Sequence, residues 1–172
     1  MRRRSATLWI IGFLALAAWA GWDLVPGELS GRTGGADLEG RVVAVVDGDT
    51  VRVRVDGREE TVRYIGVDTP ETKRPGSPVE CFGPAASAAN ERLVDGRKVR
   101  LEVDDEQRDR YDRLLAYVYR AGDGRFVNEA LVRGGYARPL AIEPNVDHAE
   151  GFSALADEAR EAGRGLWSAC GR

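Results

Sequence analysis

Residues 50–67 constrain the fold of this chain more than any other stretch. Val51, Val53 and Val55 alternate with Arg52 and Arg54, which is the two-residue period of a half-buried strand. Asp56-Gly57 then supplies a tight two-residue turn, and residues 61–67 return as a second strand. A short apolar run at 41–46 precedes them, so three antiparallel strands succeed one another at the start of the fold.

Strands resume at 98–103 and 114–119. Helix one opens at Gly83-Pro84, with proline in the first turn where its missing amide costs nothing, and stops at Gly96. A second helix covers 128–133 and ends at Gly134-Gly135. The third begins at Asp147, whose side chain is expected to cap it in a capping-box-like pair with Glu150; Phe152, Leu155, Ala156 and Ala159 share one face. Strands first and helices late suit an α+β chain with a small antiparallel barrel and helices packed on one side, and exclude a parallel sheet.

The N-terminus reads differently. Arg2, Arg3 and Arg4 form a basic start, residues 8–20 are continuously apolar, and Ala18-Trp19-Ala20 is a small-x-small cleavage pattern. Residues 1–22 therefore read as a secretory signal peptide. The rival is a retained anchor across 5–22, with Trp19 and Trp22 at an interfacial belt. Either route carries the domain out of the cytoplasm. Residues 23–37 read as a flexible linker and 38–170 as the folded domain. Cys81 and Cys170 are an even pair in a chain read as exported, where a disulfide is the natural state and two free thiols the alternative. Unstrained, such a long closure is worth about 3 to 5 kcal/mol.

Composition narrows the chemistry by exclusion. With one histidine and two cysteines in 172 residues there is no zinc tetrad and no Ser-His-Asp or Cys-His apparatus. His148, at a helix start, reads as a packing or capping residue. What remains is a set of carboxylates and guanidiniums: Asp49 in the turn Asp47-Gly48-Asp49-Thr50, Asp68 and Glu71 in Asp68-Thr69-Pro70-Glu71, and Arg63 and Arg113. The first turn lacks the later glycine and closing glutamate of an EF-hand, so it is no autonomous calcium loop. Breaking a phosphodiester requires a poised water, charge against the equatorial oxygens and help for the leaving alkoxide, and these residue types with a metal supply all three.

Several segments carry a family resemblance. VVDGDTV, VRYIGVDTPET and RYDRLLAYVY, followed by PVECFGPAAS, FVNEALVRGGYA and GLWS, resemble the signature segments of the staphylococcal nuclease (thermonuclease) family in the same order, from about Gly40 to Trp167. The resemblance implies a five-stranded OB-fold barrel with three helices, and calcium-dependent hydrolysis of DNA and RNA that leaves 3′-phosphates. It makes Asp49, Asp68 and the Thr69 carbonyl ligands of Ca2+, and Glu71 the base toward the attacking water. Arg63 would face the ground-state phosphate and transition state, and Arg113 the developing charge or leaving group. Lys73, Arg110 and Tyr111 form an expected substrate track in which charge meets an aromatic face.

Two departures stand out. The family's type member carries a nucleotide-stacking tyrosine pair where this chain has Leu140, Ala141 and Ile142, and a glycine where this chain has Asp112. The net charge is −3, and loss of a segment holding three arginines and no acids makes it −6, which is unusual for a partner of nucleic acid. The resulting expectation is an exported, monomeric nuclease that prefers single strands. Its alternatives are a surface nucleic-acid- or calcium-binding OB module with little turnover, and a phosphodiesterase for short oligonucleotides or cyclic dinucleotides.

Overall fold

The computed structural model describes residues 37–72, 76 and 78–170. The chain divides into two units, Met1–Gly31 and Arg32–Arg172, and all described residues belong to the second. The expected signal or anchor segment, nearly all of the linker, Lys73 and Arg74 lie outside them.

Five strands close into a barrel: β1 (Leu38–Val45), β2 (Thr50–Val55), β3 (Arg58–Tyr64), then β6 (Leu114–Arg120) and β5 (Lys98–Glu102), which pairs back onto β1. The β2–β3 hairpin turns at Asp56 and Gly57, both at positive φ, with Val55 opposite Arg58. Its inward positions are the alternating valines: Val51, Val53 and Val62 are fully buried beside Val99, Leu101, Ala116 and Val118. A register shift between Val42 and Ala44 bends β1 as it crosses between its two neighbours.

One expectation needs correction. The barrel is not wholly antiparallel, because β3 runs parallel to β6, with Arg63 beside Leu115. Parallel neighbours need a long crossover. Here it holds a short strand β4 (Val67–Asp68), helix α1 (Gly83–Val94) and β5. The barrel is thus a mixed OB-type α+β fold.

Beyond the barrel, α2 (Val127–Arg133) and α3 (Ala149–Glu161) flank a two-residue strand β7 (Arg138–Pro139) that pairs with β4. To the three expected helices the structure adds α4 (Leu166–Ala169). Helix α3 starts later than expected: its N-cap is His148 and makes no side-chain capping bond. The His148 ring instead packs against Tyr117, Phe126 and Phe152, at 4.5, 4.9 and 5.7 Å between centroids. Asp37, read as linker, already pairs with Arg100 at 3.1 Å. Cys81 and Cys170 are joined in a disulfide.

Candidate active site

The centre of the site is Arg63, near the end of β3 opposite Thr50. A guanidinium inside a strand requires partners, since burying an unpaired charge is costly. Its Nε lies 3.2 Å from Asp49 Oδ1 and its Nη2 3.0 Å from Asp68 Oδ1. Nη1 donates to the carbonyls of Tyr64 and Val67 at 2.8 and 2.7 Å. The side chain is only 14% exposed, and its fork is fixed in place by the backbone that turns from β3 into β4.

Asp49 is held as tightly. Its Oδ2 accepts both the backbone N–H and the hydroxyl of Thr69 at 2.8 Å, and its Oδ1 accepts the Thr50 hydroxyl at 3.1 Å. Gly48 makes this approach possible: a Cβ there would lie 2.6 to 2.8 Å from the Thr69 side chain. Asp47 accepts the Asp49 N–H at 3.1 Å, and Asn90 of α1 donates to the Asp47 carbonyl at 2.9 Å while accepting the Tyr64 hydroxyl at 3.0 Å. Burial pushes the Tyr64 hydroxyl far above its ordinary range, so it stays a donor.

The carboxylates crowd one another. Burial, the Asp49 charge and that of Glu80 raise the Asp68 carboxyl against the opposing pull of Arg63 and Arg138. Burial and Asp49 likewise raise Asp47. Such a set suits a hard cation, whose charge would offset the repulsion. Among the described residues, however, no group of three His, Cys, Asp or Glu side chains could hold a metal alone. Asp49 and Asp68, both paired with Arg63, are the carboxylates that would contribute to a partial oxygen set.

On its other side Arg63 lines a cavity of about 530 Å³ that it shares with Arg110, Tyr111, Arg113, Leu115, Leu140 and Ile142. Arg113 is braced by Asp109, whose Oδ2 accepts from both its Nε and Nη2 at 2.7 Å. Tyr111 is 65% exposed, with the Arg110 guanidinium 4.8 Å and that of Arg113 5.5 Å from its ring centroid. Leu140 and Ile142, which line the same cavity, are 37% and 58% exposed and give it an aliphatic part. Asp112 keeps a left-handed φ of 61°, a glycine-like conformation, and its carboxylate lies 3.7 Å from Arg108.

The structure therefore gathers Asp49, Arg63, Asp68 and Thr69 at one point and joins Arg63 to Arg110, Tyr111 and Arg113 across the cavity. Glu71 lies in the loop after β4, where its Oε1 accepts the Thr72 N–H at 2.9 Å. Sequence reading missed Asn90, Asn145 and Glu80 as supports. Asn145, which binds the N–H and carbonyl of Glu106 at 2.9 and 2.7 Å, holds the Leu140–Ile142 segment to the loop that carries Arg113.

A closed OB-type barrel with two braced arginines and a carboxylate cluster at one mouth defines a class of small β-barrel domain built to receive an anion. The profile described as staphylococcal nuclease homologue matches residues 61–169, and the chain belongs to that family. It is 44% identical over 128 residues to Endonuclease YncB of Bacillus subtilis (strain 168), spanning 73% of this chain and 60% of that protein. It is 41% identical over 128 residues to the Thermonuclease of Staphylococcus hyicus, spanning 74% and 75%. It is 45% identical over 125 residues to the SPbeta prophage-derived endonuclease YokF of B. subtilis, spanning 72% and 42%. The match thus covers less than two thirds of either Bacillus protein.

Proposed function

We infer that the chain is a hydrolytic nuclease of the thermonuclease type, a reading supported by its family and by relatives named as endonucleases and thermonuclease. Beyond that class, we propose a calcium-dependent, sugar-nonspecific enzyme that cleaves DNA and RNA to 3′-phosphate products, with single strands preferred because the barrel mouth admits an unpaired strand. The observation that carries this reading is the placement of Arg63, which contacts Asp49 and Asp68 on one side and shares a cavity with Arg113 on the other.

In this reading Arg63 and Arg113 clamp the scissile phosphate from within the cavity, each pre-oriented by its carboxylate partner, so little reorganisation accompanies charge development. Glu71 accepts a proton from the attacking water or orients it. Calcium bound by Asp49, Asp68 and the Thr69 carbonyl would add positive charge against the phosphate oxygens. Arg110 and Tyr111, with Lys73, guide the strand, and Tyr111 against Leu140 and Ile142 gives a base one aromatic and one aliphatic face. The basic start and apolar run at the N-terminus support action outside the cytoplasm, by a cleaved signal or a membrane tether through 5–22.

The test is release of acid-soluble nucleotide from single-stranded DNA with calcium, magnesium or chelator, for the native chain and Glu71→Ala. We expect calcium-dependent release that falls about 100-fold or more in the variant, as loss of a proton-handling group does. Folded, calcium-loaded protein that binds DNA without release would instead make this a binding module.

A further inference from the structure

The loop bearing Glu71 is fastened in a way that the reaction itself does not require. The Glu71 backbone N–H donates to Glu80 Oε2 at 3.1 Å, and the Glu80 N–H donates back to the Glu71 carbonyl at 2.9 Å, joining positions nine residues apart. Beyond Glu80, Gly83 opens α1 directly against the same backbone: a Cβ there would lie 3.0 Å from the carbonyl oxygens of Pro70 and Glu71 and 2.7 Å from Thr72 Cγ2. Between these two contact points sits Cys81, bonded to Cys170 at the end of α4.

Helix α4 is not a loose tail. The Leu166 N–H donates to the Gly135 carbonyl at 2.8 Å, and the Trp167 ring lies under Arg138 and Arg160, at 5.6 and 4.7 Å from its centroid. Arg138 is the residue paired with Asp68 across β4 and β7. The disulfide therefore ties the base of the Glu71 loop to α4, whose Trp167 touches Arg138, the strand partner of Asp68.

We propose that Glu80 and the Cys81–Cys170 disulfide form a clasp that positions Glu71, so that turnover depends on an intact disulfide. This rests on the role given to Glu71 above. Glu80 is exposed, and solvent-exposed hydrogen bonds are individually weak, so the pair of bonds at 71 and 80 opens readily unless the chain just beyond is held covalently. Catalysis is sensitive to such slack, since a misplacement of about 1 Å can cost on the order of 100-fold. Glu80 and the cysteines are positioning residues that touch no reacting atom.

The experiment uses the full chain in mild detergent at saturating calcium, oxidised and reduced, with Glu80→Ala, Glu80→Gln and the double variant Cys81→Ser/Cys170→Ser. Reduction, the double serine variant and Glu80→Ala should each lower kcat about 10- to 100-fold with KM within about 3-fold, the signature of a displaced group rather than lost binding. Glu80→Gln, whose amide oxygen still accepts the Glu71 N–H, should restore kcat. In a Glu71→Ala background none of these changes should lower the residual rate further. Hydrogen exchange at the Glu71 amide provides a readout independent of activity: it should accelerate on reduction and in Glu80→Ala, and not in Glu80→Gln. Unchanged exchange and kcat would overturn the proposal, as would an equal loss in the Glu71→Ala background. Clasp-dependent exchange in a protein without nuclease activity would sink the assigned reaction while leaving the clasp intact.

Discussion

Each arginine of the site is held by a different logic. Arg63 is fixed by two carbonyls accepting from one nitrogen together with two carboxylates, whereas Arg113 depends on one carboxylate. Burial pushes the Asp109 carboxyl up, but the Arg113 side-chain bonds, the N–H groups of Arg113 and Tyr111 and the Arg113 charge outweigh it and hold the group below 3.8. A carboxyl lowered in the fold stabilises above its unfolded pKa and loses that contribution as pH falls through the folded one. The stability gap between the native chain and Asp109→Asn should therefore be constant from neutral pH down to about 5 and shrink below 3.8, measured by urea unfolding across pH. A gap that widens in acid would show that the fold raises the Asp109 carboxyl, so that burial outweighs the Arg113 bonds and charge. Arg63's need for partners was legible from a charge inside a strand. The supports were not: Asn90 and Asn145 look like ordinary polar residues until the fold brings in partners 43 and 39 positions away.

At the level of elements, the parallel β3–β6 pair sets the spacing across the mouth by register, with Arg63 level with Leu115. Asn128 of α2 secures this seam: it is fully buried, accepts the Val118 N–H at 3.0 Å and donates to the Ile65 carbonyl at 2.8 Å. Asn128→Ala would strand a buried donor and a buried acceptor, at about 1 to 3 kcal/mol each. We expect a loss of about 2 to 5 kcal/mol in denaturant unfolding with an unchanged m-value. A loss under about 1 kcal/mol would mean that water replaces the amide. The strands of this seam were readable from periodicity and turn chemistry. Their parallel pairing was not, because alternation specifies which face is buried and says nothing of which neighbour lies alongside. The N-cap of α3 lies one residue beyond the Asp147 that local sequence suggests, at His148, whose ring packs with Tyr117, Phe126 and Phe152 from distant parts of the chain.

For the whole molecule, an acidic net charge of −3 leaves little long-range attraction for a polyanion. Among the described residues, Arg63, Arg110 and Arg113 are the cations lining the cavity, and two of them already face carboxylates. Three phosphate contacts imply a slope of about −2 for log affinity against log salt on single-stranded DNA, from about −0.7 per contact. Fluorescence anisotropy with an inactive variant measures it, and a slope steeper than about −4 would mean that cations outside the cavity carry the binding. The bond between Cys81 and Cys170, 89 positions apart, has a topological result as well. It makes the second half of the molecule a ring, with the first three barrel strands as a branch. A protease that nicks any single peptide bond within the ring releases nothing, and the cut becomes visible as two fragments only after reduction.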